Sequence, residues 1–197
     1  MKAMNGKFQP EFDRVGLAIC LAALLILLYF GLTVEGLAQN LWVAYALWLT
    51  GFFGTFALGL ARRSQTLNLQ GMFMVFVGVA LIFLCFYGVS FAYASVPQDI
   101  AWGSKAISFG IGVSEELFFG VFALGLLINW LHVAAPFAIA GTSLVHALFH
   151  IPNWGTNPSQ IAFFFICFVV ARSIYVYVFP KVGVLVGAHG LWNLWVT

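Results

Sequence analysis

Two carboxylates stand side by side in GVSEELFFG (112–120), a stretch otherwise suited to lipid or to a dry core. A charged group in hydrocarbon is expensive unless it is neutralised, paired or wet, so such residues are functional-site candidates by default. Once the turns are set aside, the strongly polar groups left at depth are Glu115, Glu116, His146, His150, Arg172, His189 and Asn193. HALFH (146–150) and HGLWN (189–193) each set two of them four residues apart, hence on one helix face. Singly, each has a plain explanation. A buried His can be a hydrogen-bonded packing residue, an Asn can be interhelical glue, and the glutamates could be protonated or lie at headgroup level. Jointly, two acids, three imidazoles and a carboxamide are what metal binding, a proton relay or general-base hydrolysis would require.

The elements that must position these groups are membrane helices. Of the 197 residues, 63% are hydrophobic and 7% charged, against about 25% charged in an ordinary soluble domain. The mean hydropathy is +1.03. No soluble core buries that much apolar surface, so the chain reads as one all-α integral membrane domain over 1–197. An apolar helix needs about 20 residues to span the hydrocarbon, and seven candidates appear, roughly 15–34, 41–61, 71–94, 106–128, 133–153, 160–179 and the shorter 182–196. A GLA segment before Gln39 looks like a signal-cleavage site. The apolar stretch before it exceeds the roughly 7–15 residues of a signal sequence, so it is read as a helix. The net charge of +2 comes without a basic run, which argues against nucleic acid as a partner. Cys20, Cys85 and Cys167 all lie within apolar stretches and are expected to be small packing residues.

Placing the N-terminus inside puts Lys2, Lys7, Arg14, Arg62, Arg63 and Lys181 on the cytoplasmic side and only Lys105, with Glu35 and Asp99, outside. The fourth span then enters from the outer surface, and Glu115 and Glu116 lie roughly 13–15 Å below it at helical rise. Arg172 falls at about 18 Å on the sixth span, close to the depth of Glu116. It either pairs with Glu116 across helices or snorkels to the inner interface near Lys181. The spacing GVLVG (183–187) predicts close packing of the last helix just before His189.

Over roughly 105–197, the motif-bearing half, the chain resembles the CAAX protease and bacteriocin-processing family of glutamic-type intramembrane proteases. That family carries Glu-Glu-x-x-x-Arg, Phe-x-x-x-His and His-x-x-x-Asn/Asp motifs on successive helices. Here they read EELFFG (115–120), HALFH (146–150) and HGLWN (189–193). Two positions depart: Gly120 stands where the family has Arg, and His146 where it has Phe. Arg172 is the candidate substitute for the missing cation. The resemblance implies that Glu115 and His150 bind and activate the water that attacks a scissile carbonyl, with His189 and Asn193 stabilising the oxyanion. Glu116 would be a positioning acid, and His146 a packing residue, a second proton carrier or a ligand. The chemistry is reasonable apart from the resemblance, because desolvation makes a carboxylate a better base and an imidazole can pass a proton on to the leaving amine.

The resemblance also implies no cofactor, a membrane-anchored or lipid-modified protein substrate, and residence in a bacterial cytoplasmic membrane. A cluster in the outer half of the bilayer fits poorly with a cytoplasmic carboxyl terminus. It fits the sorting-type members, which trim C-terminal anchors of exported proteins. Glu115, His150 and His189 could instead ligate zinc, although no HExxH is present and Asn is a poor zinc ligand. Ser114 lacks the context of a serine intramembrane protease. Two other classes stay open: a proton-coupled transporter or channel using a Glu/His relay, and a catalytically silent scaffold, for which Gly120 is the argument.

Overall fold

The computed structural model describes residues 8–34, 37–60, 62–63, 102–151 and 157–196. Its helices are α1 (Arg14–Thr33), α2 (Leu37–Ala57), α3 (Trp102–Glu115), α4 (Leu124–Asn129), α5 (Ala135–Phe149), α6 (Pro158–Tyr177) and α7 (Val182–Val196). Between α3 and α4 the chain stays helical but widens into a π-helix over Glu116–Ala123, so 102–129 is one composite rod. Six of the seven expected spans are therefore helical, and the third, 71–94, which includes Cys85, lies outside the described residues. Arg14–Thr33, Ser104–Asn129 and Pro158–Tyr177 are long and apolar enough to cross a membrane, while Leu41–Ala57 and Ala135–Phe149 are apolar but shorter. Leu32 and Phe137 are 85% and 74% exposed while Glu116 and Arg172 are fully buried. Apolar outside and polar inside is the distribution of an integral membrane protein.

Local chemistry sets several boundaries. Asp13 caps α1 by accepting the backbone N–H of Gly16 at 2.8 Å. Asn157 does the same for α6 through Ser159 N–H at 3.0 Å, and Pro158, which has no N–H to lose, opens that helix. Trp48 Nε1 donates to the Cys20 carbonyl at 3.0 Å and Tyr45 Oη to the Leu27 carbonyl at 2.6 Å, locking α2 onto α1. Cys20 and Cys167 are buried packing residues.

The composite rod is central: α3 packs on α7, α1 and α2, the π-helix lies against α2, and α6 covers α5. Two close backbone approaches set this arrangement. A Cβ on Gly16 would stand 2.8 Å from the Gly183 nitrogen, so α1 and α7 touch at the predicted glycine spacing. A Cβ on Gly51 would stand 2.6 Å from the Leu117 carbonyl carbon and 2.7 Å from Phe118 N, so α2 presses on the π-helix backbone itself.

The sequence does not foretell how one end of the bundle is closed. Glu11–Phe12 pair in parallel with Arg62–Arg63, and the Glu11 N–H donates to the Pro180 carbonyl at 2.8 Å. Lys181 Nζ meets Glu11 Oε1 at 3.0 Å and Asp13 Oδ2 at 3.7 Å. Asn129 Nδ2 donates to the Phe8 carbonyl at 2.6 Å, and buried Phe8 meets Tyr175 edge-on with centroids 5.5 Å apart. The backbones of Arg62, Arg63 and Lys181 thus gather at the end where α1 begins, away from the entry of α3.

Candidate active site

Glu115 closes α3 and Glu116 opens the π-helix, so the change of helical pitch falls between the two carboxylates. Such widened turns are frequent at functional sites. Three imidazoles surround the same oxygen, Glu115 Oε2. His146 Nε2 lies 3.4 Å away, His189 Nε2 3.7 Å and His150 Nε2 3.9 Å. α5 supplies His146 in its last turn and His150 at its C-terminal end, and α7 supplies His189. The four-residue spacing read in HALFH does bring both rings of α5 to one side.

Glu116 faces the other way within the same cluster. Arg172 Nη2 meets its Oε2 at 3.2 Å and its Oε1 at 3.3 Å. Arg172 and Glu116 therefore pair across helices, the first of the two fates open to that arginine, and neither reaches solvent or an interface. Glu116 Oε1 also lies 3.3 Å from His189 Nδ1 and 3.6 Å from His146 Nδ1. Gly120 has a concrete role here: a Cβ at 120 would overlap Glu116 Oε2 and stand 2.5 Å from Leu185 Cδ2. The carboxylate occupies the space a side chain at 120 would need, and its cation arrives from α6 instead.

The arginine also decides a tautomer. Arg172 Nη2 lies 2.7 Å from His146 Nδ1, and a guanidinium has no acceptor, so Nδ1 accepts. The ring proton of His146 is then on Nε2, aimed at Glu115. Arg172 Nη1 donates to Ser143 Oγ at 3.3 Å. The imidazole plane is held by Phe168, stacked at 3.9 Å and 5°, and by Phe119, stacked at 4.5 Å and 20°. His150 stacks on Phe164 at 4.9 Å.

His150 is the most open histidine of the cluster, with 13% of its side chain exposed. Its Nε2 is buried without a hydrogen-bond partner among the described residues. Asn193, expected beside His189 as a second donor, directs its amide nitrogen to the Ser108 carbonyl on α3 at 3.1 Å.

A metal is a second use for such donors. Glu115, His146 and His150 offer ligand atoms within 4.8 Å of one another, a set that includes His146 where the expected set had His189. His146 is a poor ligand as placed. One nitrogen accepts from Arg172 and the other carries the proton, so ligation would require giving up the arginine bond.

Ser143, Phe119, Phe164 and Phe168 are the site residues that sequence reasoning missed. A signal existed for most of them. Ser143 precedes His146 by one turn, and Phe164, Phe168 and Arg172 repeat at four-residue steps along α6, which puts them on one face.

A model of the Rce1-like family, described as type II CAAX prenyl endopeptidase, matches residues 97–195, a segment that contains the whole cluster. No curated protein and no solved structure matches the chain.

Proposed function

The chain belongs to the Rce1-like type II CAAX prenyl endopeptidase family, a family of proteases, and from that premise we propose that it is a glutamic-type intramembrane endopeptidase. The observation that carries this is the convergence of three imidazoles on Glu115 Oε2, at 3.4, 3.7 and 3.9 Å. Glu115 takes a proton from a water held between it and His150, and the water oxygen forms a bond to the scissile carbonyl carbon. His189 donates to the resulting oxyanion, a type of stabilisation worth about 10²–10³ in rate. The C–N bond then breaks as the proton held by Glu115 passes through His150 to the leaving amine, which returns Glu115 to its carboxylate. Glu116 and Arg172 neutralise one another and hold the π-helix, and Asn193 keeps α7 in register with α3.

The proton on His146 Nε2 supports a site that works without a metal. Arg172 at Glu116 supports an active enzyme over a silent scaffold, because the cation missing at Gly120 is supplied from α6.

The substrate is a membrane-anchored or lipid-modified protein. With the basic residues inside, the N-terminal closure is cytoplasmic and the end reached through His150 faces outward, in a bacterial cytoplasmic membrane. This geometry supports trimming of C-terminal anchors of exported proteins. The test uses purified protein in lipid vesicles with two quenched-fluorescence peptides. One ends in a prenylcysteine followed by three residues, the other in an apolar anchor. Cleavage of the anchored peptide, undiminished by EDTA, is expected. Failure to cut either peptide rejects the hydrolase, and loss of cleavage in EDTA rejects the metal-free mechanism.

A further inference from the structure

We propose that His146 is a positioning residue that aims Glu115, held for that task in a single tautomer by Arg172. This rests on the hydrolase function proposed above.

Hydrogen-bond direction fixes which nitrogen of His146 carries the proton. Arg172 Nη2 carries two hydrogens; one serves Glu116 at 3.2 and 3.3 Å, the other His146 Nδ1 at 2.7 Å. Since Nδ1 accepts, Nε2–H points at Glu115 Oε2, 3.4 Å away. A directed chain results: Glu116 accepts from Arg172, Arg172 donates to His146, and His146 donates to Glu115. Reversing the imidazole tautomer would set two donors against each other at Nδ1. Rotation about the ring is blocked by Phe168 and Phe119, whose planes lie within 5° and 20° of the imidazole. The ring is also completely buried. An orienting imidazole needs what this ring has: one fixed proton, one fixed plane and no access for competing water.

The chain gives the two glutamates different jobs through one cation. Glu116 fixes Arg172, and Arg172 determines which nitrogen of His146 can reach Glu115. His150 and His189 touch Glu115 Oε2 at longer range, 3.9 and 3.7 Å, and remain for proton transfer and oxyanion stabilisation.

Packing alone would need only a flat ring between Phe119 and Phe168, and phenylalanine supplies one. The test therefore compares His146→Phe with His146→Gln, whose adjacent carbonyl and N–H can accept from Arg172 and donate to Glu115. On the anchored peptide, His146→Phe is expected to lower kcat by about 10- to 100-fold with KM unchanged, since a hydrogen bond to a charged group is lost. His146→Gln should recover most of that loss. Full activity in His146→Phe, or equal losses in the two variants, overturns the proposal. A measurement independent of turnover and of either variant's folding is ¹⁵N NMR of histidine-labelled wild-type protein in micelles. The expected His146 signals are a protonated Nε2 and an unprotonated Nδ1, and a protonated Nδ1 would overturn the assignment. Should wild-type protein cut neither peptide, the hydrolase function fails while the NMR result still judges the hydrogen-bond chain.

Discussion

Replacing Arg172 by Met keeps the length of the side chain and removes its charge. Glu116 is then left with no cation in a site that is 0% exposed, having lost contacts at 3.2 and 3.3 Å. Ser143 Oγ and His146 Nδ1 lose their donor at the same time. Removing one partner of a buried ion pair typically destabilises by about 3–5 kcal/mol. For a chain of this size that corresponds to a fall in Tm of roughly 6–20 °C. Glu116→Gln strands Arg172 among neutral partners and is expected to cost a similar amount. The double variant carries no unpaired charge, so it should be more stable than either single variant, with a coupling energy of at least about 2 kcal/mol. The assay is heating in detergent with a thiol-reactive dye, which reads the exposure of buried Cys20 and Cys167 as the bundle opens. Losses that add within about 0.5 kcal/mol would show that the two side chains do not sense one another, and the reasoning from burial and distance would fall.

Gly51→Ala places a methyl 2.6–2.7 Å from backbone atoms of Leu117 and Phe118, where relief requires moving the π-helix that carries Glu116. A loss of about 1–3 kcal/mol with a parallel fall in kcat is expected; the gain of up to about 1 kcal/mol that Gly→Ala brings in an open helix would contradict the close approach. Asn193→Ala removes the amide donor to Ser108 O and should lower stability by about 1 kcal/mol with less than a tenfold change in kcat. A hundredfold fall in kcat at unchanged KM would make Asn193 an oxyanion donor instead.

How much of this site could be read from the sequence depends on how few reasons a residue has for being where it is. Glu115, Glu116 and Arg172 were legible because ionisable groups are costly in hydrocarbon, and equal helical depth sufficed to suggest that Glu116 and Arg172 meet. His146, His150 and His189 were legible as a set through their helical spacing. The role of His146 was not, because its tautomer is decided by an arginine on a different helix. The π-helix was also hidden. Nothing in ELFFGVFA announces a wider turn, and Gly51, whose contact shapes it, lies on a helix far away in sequence. Closure of the bundle by Phe8 to Asp13 was missed for a related reason: a two-residue strand held by one partner near 62 and another near 180 leaves no periodic trace.

The most direct test is the cleavage rate of the anchored peptide by Glu115→Gln in the same vesicles as wild type, with folding of the variant checked by its Tm. Gln keeps the shape of the side chain and cannot take the proton from water, so a loss on the order of 10²–10⁴-fold at unchanged Tm is expected. A folded Glu115→Gln protein that cuts within tenfold of the wild-type rate would mean that this carboxylate is not the base.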